Sequence, residues 1–91
     1  MKLEKLYELI ESRFEDLPEG SYIAALKKKG LDRIAQKVGE EATEVVISSK
    51  NPDSQKTIEE MSDLVFHLLI LMKEKGIRLE DIETELEKRN G

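Results

Sequence analysis

The stretch from Leu64 to Met72 sets the tightest limit on how this chain can fold. Every residue in it except His67 is apolar. It lies in a helical pattern that starts at the turn Asn51-Pro52-Asp53-Ser54 and runs to about Lys75, where Gly76 can cap it. A helix that is apolar all round must be buried all round. The chain has 91 residues, enough for one small domain with a limited core. Three or four helices of one protomer cannot easily surround such a helix, so a second copy is expected. The expected fold is all-α, a single domain over 1–91. Its antiparallel helices form a four-helix bundle core with the partner of a homodimer.

The other segments read as helices too. Leu3, Leu6, Tyr7, Ile10 and Phe14 recur at helical spacing and predict a first helix over 3–14. Glu15 to Gly20 reads as a loop, broken by Pro18 and Gly20. Ser21 can cap a short helix through Lys29, which Gly30 can end. A long helix follows from Leu31 or Asp32 to about Ser49. A last amphipathic helix, Leu79 to Arg89, is expected to cover the bundle. No strand pattern, repeat or low-complexity segment interrupts this order.

Two acidic groups fall inside the long helices. Glu40, Glu41 and Glu44 lie in the first, and Glu60 and Asp63 in the second. Residues three and four apart share a helix face, so each group converges locally. Fifteen residues, Val45 to Glu59, separate the groups, enough for one helix to finish and the next to return beside it. Leu31, Ile34, Val38, Ala42, Val45 and Val46 form one apolar stripe. Glu41 falls at its edge, Glu44 next to it, and Glu40 furthest out. On the second helix Glu60, Asp63 and His67 form a strip flanked by Leu64 and Leu71 on one side and Phe66 and Ile70 on the other. A strip so bordered is expected to face away from bulk water.

Carboxylates gathered at a partly dry site repel one another and need a cation. The chain has no Cys and a single His. Hard oxygen donors of this kind suit Mg²⁺, or Mn²⁺, rather than Zn²⁺. Magnesium prefers one or two carboxylates together with substrate phosphates. The chemistry points to metal-assisted attack of water on a phosphoric anhydride. His67 itself reads as a packed, hydrogen-bonded residue, not a ligand.

The pattern Glu40-Glu41-x-x-Glu44 followed by Glu60-x-x-Asp63 resembles the metal motif of the all-α nucleoside-triphosphate pyrophosphohydrolases, the MazG-like group. Pro18-Glu19-Gly20-Ser21-Tyr22, Lys29-Gly30-Leu31-Asp32 and Lys37-Val38-Gly39-Glu40-Glu41 narrow the likeness to phosphoribosyl-ATP pyrophosphohydrolase, the second enzyme of histidine biosynthesis. The resemblance implies hydrolysis of phosphoribosyl-ATP between its α- and β-phosphates. It implies Glu41, Glu44, Glu60 and Asp63 as metal ligands, with Glu40 as an outer acid or the group that orients water. In the family the segment after Ser-Tyr more usually continues with Thr and then, two residues on, Lys. Here those positions hold Ile23 and Ala25. Much of the family is fused to the next pathway enzyme; this chain is expected to be monofunctional.

Four basic residues are candidates for substrate. Lys37, four before Glu41, either pairs with that acid or meets the triphosphate beside the metal. Arg13 suits a helix C-terminus by charge, and Lys29 ends a solvated lysine run. On the family reading either can reach the distal phosphate, and Arg33 joins them. Gly39 costs its helix ~1 kcal/mol relative to Ala. Close helix packing is one reason for it, and room for substrate beside Glu40 is another.

The same residues allow two rival functions. One is a general pyrophosphohydrolase acting on dUTP or non-standard triphosphates. The other is a non-catalytic helical dimerisation module, which would bind no divalent cation and tolerate Ala at Glu41 and Asp63. The net charge of −5 argues against general nucleic-acid binding, and without the five site carboxylates it would vanish. No apolar run reaches the ~18 residues of a membrane span. Met1-Lys2-Leu3-Glu4-Lys5 has no signal-peptide core. A cytoplasmic protein is expected.

Overall fold

A computed structural model describes residues 1–90; Gly91, the last residue of the expected domain, lies outside them. The described residues form five α-helices and no strand: α1 (Leu3–Asp16), α2 (Tyr22–Lys29), α3 (Leu31–Ser48), α4 (Ser54–Glu74) and α5 (Leu79–Asn90). Among the described residues no helix is long and apolar enough to cross a membrane.

The helix ends follow from local chemistry. The Ser21 hydroxyl accepts from the Ala24 N–H at 3.1 Å and starts α2. Gly30, at φ 98°, closes it with its N–H on the Leu26 carbonyl. The Asp53 carboxylate accepts from the Gln55 N–H and starts α4. At the other end of α4, the Gly76 N–H reaches the Lys73 carbonyl and the Ile77 N–H reaches that of Met72. With Gly76 at φ 70°, this is a Schellman stop. α1 runs two residues past the predicted Phe14. It ends where Leu17 turns left-handed, φ 48°, before a proline that disfavours further helix. Glu15 and Asp16 therefore belong to the helix, not to the loop.

α3 and α4 form the main antiparallel pair. Thr57 Oγ1 donates to the Ser48 carbonyl near the turn. Glu60 and Asp63 meet Glu41 further along, and Leu69 and Ile70 share a core with Ile34 at the far end. α1 packs on α4, and α2 touches both α1 and α3. The core unites Tyr7, Ile10, Phe14, Ile23, Leu26, Ile34, Leu69 and Ile70. Ile23 is thus a core residue.

That core occupies one end of the α3–α4 pair. The end nearest the turn stands as a bare two-helix arm, with Val46 63% and Ile47 61% exposed, and Ile58 and Met61 exposed beside them. Of the predicted α3 stripe only Ile34 is fully buried. Within Leu64 to Met72 only His67, Leu69 and Ile70 are buried, and Leu68 is exposed. The protomer alone does not wrap this helix. Nor does α5 cover the bundle as expected. Leu79 packs on the core, but α5 has no buried residue, and Ile82 and Leu86 stay exposed. Its remaining residues are nearly all polar or charged, so little apolar surface draws it inward.

Candidate metal centre

Three carboxylates converge where the packed end of the α3–α4 pair gives way to the arm. Glu41 comes from α3, Glu60 and Asp63 from one face of α4, and an oxygen of each lies within 4.8 Å of the others. Glu41 and Glu60 are half-buried and Asp63 is exposed. The site is therefore an open rim, wetter than the flanking apolar residues suggested. Phe66 and Leu64 are themselves only half-covered, so they cannot dry it.

Glu44 and Glu40 diverge from this group. Glu44 is exposed and outside the three converging acids, though its charge acts on Glu60. Glu40 points into a basic and amide cluster. Its oxygens lie 3.4 Å from Lys37 Nζ, 3.7 Å from Arg33 Nη1 and 3.2 Å from Gln36 Nε2. Lys37 Nζ also lies 3.3 Å from Glu41 Oε1. Lys37 thus bridges Glu40 and the three-acid cluster.

The electrostatics fit a cation site. Glu60 is pushed above the ordinary carboxylate range, first by burial and then by the charges of Glu44, Asp63, Glu41 and Glu59. Burial lowers the pKa of the Lys37 ammonium, but its hydrogen bonds to Glu41 and Glu40 outweigh that and raise it. Lys37 keeps its charge, yet one ammonium leaves the acidic group in net excess. Three all-oxygen donors with unrelieved repulsion suit a hard divalent ion.

His67 does not join them. It is buried, its Nδ1 lies 2.7 Å from the Asp63 carbonyl oxygen, and its Nε2 lies 2.7 Å from the Tyr22 hydroxyl. Both ring nitrogens are used, as a packed histidine requires. Arg13 is held elsewhere, lining an open groove with Asp16, Pro18 and Ser21. Lys29 is exposed at the end of α2. Neither forms an ion pair among the described residues. Lys27, in contrast, pairs with Glu74 at 3.2 Å and sits over the Phe14 ring.

Sequence reasoning gave Tyr22 no role of its own. Its hydroxyl partner is 45 residues away, and no local spacing signals that contact.

Residues 3–90 match the phosphoribosyl-ATP pyrophosphohydrolase family. The chain is 55% identical over 86 residues to a phosphoribosyl-ATP pyrophosphatase of Leptospira biflexa, covering 94% of each chain. It is 57% identical over 89 residues to one from Listeria monocytogenes, covering 98% of this chain and 85% of that one. A histidine biosynthesis bifunctional protein of Caldanaerobacter subterraneus is 54% identical over 87 residues, which are 96% of this chain and 42% of that protein.

Proposed function

Since the chain belongs to the phosphoribosyl-ATP pyrophosphohydrolase family, we propose that its converging carboxylates are the metal-holding centre of that reaction. The enzyme hydrolyses phosphoribosyl-ATP to phosphoribosyl-AMP and pyrophosphate, the second step of histidine biosynthesis. The observation that carries the site is the meeting of Glu41, Glu60 and Asp63 from two helices, with Lys37 alongside.

Glu41, Glu60 and Asp63 would hold Mg²⁺, or Mn²⁺, with Glu44 turning in from the adjacent α3 position. When bound, the ion polarises the phosphates and lowers the pKa of the attacking water. The protein's own groups do the rest. Lys37 lies where triphosphate oxygens must come to reach the acids. It exchanges its carboxylate partners for phosphate, a charge-assisted contact of comparable strength. Glu40 pairs with Lys37 and Arg33 beside the cluster, and as an outer acid it would orient the attacking water. Arg13 and Lys29, without carboxylate partners among the described residues and on other elements, would take the distal ribose phosphate. The working unit would be a homodimer, because the arm and α4 leave apolar surface that one protomer does not cover.

The test is pyrophosphate release from phosphoribosyl-ATP, ATP and dUTP at equal concentration with Mg²⁺. Phosphoribosyl-ATP is expected to be turned over fastest. Faster release from dUTP or ATP would overturn the substrate assignment. Undiminished release from Glu41→Ala would remove the proposed site and favour a different centre.

A further inference from the structure

The chain has no Trp and only four other aromatic side chains, Tyr7, Phe14, Tyr22 and Phe66. Tyr7 and Phe14 are core residues, and Phe66 is half-buried. Tyr22 alone is exposed, at 47%. Yet it is held in place from several sides. Its hydroxyl meets His67 Nε2 at 2.7 Å. A carbonyl oxygen can only accept, so His67 Nδ1, 2.7 Å from the Asp63 carbonyl, carries the hydrogen. Nε2 of the neutral ring then accepts from the Tyr22 hydroxyl. The Tyr22 ring also lies over Phe66, centroids 6.1 Å apart at 27°, and meets the His67 ring edge-on at 5.6 Å.

A side chain so fixed normally turns its area inward. Here the hydroxyl end is tucked against a histidine that is only 5% exposed, while nearly half of the residue stays open. The hydroxyl end is joined through the His67 ring to the backbone of Asp63, one of the three converging acids. After burial, which raises its pKa, the hydroxyl responds most to the charges of Lys37, Glu41, Arg33 and Glu40. The purine of the substrate is one ribose away from the α-phosphate, so its binding surface has to adjoin the acids and Lys37. An aromatic face takes any base by stacking, and a pre-fixed one loses little entropy on binding.

We propose that Tyr22 is the face on which the purine of phosphoribosyl-ATP stacks, and that His67 is the positioning residue that holds it there. This rests on the functional reading above. His67 ties the start of α2 to the helix turn that carries Asp63, so base and metal ligands are placed by one hydrogen-bonded chain.

The test uses tyrosine fluorescence. In Tyr7→Phe, which should keep wild-type turnover, Tyr22 is the only tyrosine and there is no Trp. Titration with phosphoribosyl-AMP, the nucleotide product of the reaction, should quench it saturably. Ribose 5-phosphate with pyrophosphate, which carries phosphate but no base, should not. Equal responses, or no quenching at product concentrations that inhibit turnover, would overturn the proposal. Kinetics give a second reading. Tyr22→Leu should raise KM about tenfold or more, with kcat changed much less. Tyr22→Phe and His67→Gln should each raise KM about fivefold, and the double variant no further. Tyr22→Phe behaving like Tyr22→Leu would mean that the ring does not stack. Pyrophosphate release by the wild-type enzyme reports separately on the reaction, and it can persist with the stacking face disproved.

Discussion

Glu60 shows how single residues carry the site. Half-burial and four neighbouring carboxylates hold its pKa up, so the folded chain binds that proton more tightly than the unfolded chain. The resulting destabilisation is full above the folded pKa and disappears as pH falls below the unfolded one. Without divalent ions, Glu60→Gln should therefore melt higher than wild type at neutral pH, with the gap closing through the carboxylate range. A gap that stays constant with pH would show that Glu60 is not strained by its neighbours. Mg²⁺ should raise the wild-type melting temperature by linkage, and Glu41→Gln or Asp63→Asn should lose both that rise and turnover. The sequence made the i, i+3 pair Glu60 and Asp63 legible, because helix geometry alone sets it. It also set Glu40 furthest out, where Arg33, Gln36 and Lys37 hold it away from the other acids. It did not show Glu44 standing outside the three that converge, which is a matter of side-chain direction. Tyr7 gives an independent check of the fold. Its hydroxyl donates to the Ile77 carbonyl at 2.6 Å and so ties α1 to the segment after α4. Burial raises its pKa, with Glu11 and Asp81 adding to the effect. That stabilisation is full below the unfolded tyrosine pKa and is lost as pH rises through the folded one. Tyr7→Phe should cost about 1 kcal/mol in denaturant unfolding.

Helix boundaries were legible wherever a capping group decides them. Ser21, Gly30, Asp53 and Gly76 each act where their chemistry predicts. The end of α1 was missed because apolar periodicity stops at Phe14 while backbone helix continues to Asp16. The place of α5 was missed for a different reason. Three apolar residues predict an amphipathic helix but cannot say what, if anything, lies against it. Gly39 is the sharpest correction at this scale. Close helix packing was one reason for a glycine there, yet a Cβ at this position meets nothing within 4 Å. Gly39→Ala should therefore stabilise α3, by up to ~1 kcal/mol, in thermal or denaturant unfolding. A loss of stability would mean that something outside the protomer presses on this backbone. Turnover separates the remaining uses of the space. If substrate fills it beside Glu40, Gly39→Ala should raise KM even as the melting temperature rises.

The protomer exposes more surface than a chain of its size needs to. Its accessible area is 6461 Å², whereas a 10.4 kDa monomer is expected to show about 5,400 Å². Its radius of gyration of 14.3 Å likewise exceeds the roughly 12 Å of a compact domain of this length. The excess area, about 1,000 Å² by the same scaling, is close to what one partner contributes to a standard interface, about 800 Å². It is also located. Val46, Ile47, Ile58 and Met61 lie on the arm and Leu68 on the exposed side of α4, continuing the helices that carry the acids. A second α3–α4 pair packed there would complete the four-helix bundle expected from Leu64 to Met72, and would cover the arm in the same step. The expected outcome is a dimer in sedimentation at micromolar concentration, with a melting temperature that rises with protein concentration. Ile58→Glu removes one apolar contact worth about 1.5–3 kcal/mol when buried and puts a charge in its place. It should weaken dimerisation by about tenfold or more and lower turnover in parallel, because the arm that carries Glu60 loses its support. A wild-type chain that sediments as a stable monomer and still releases pyrophosphate would show that the open arm needs no partner.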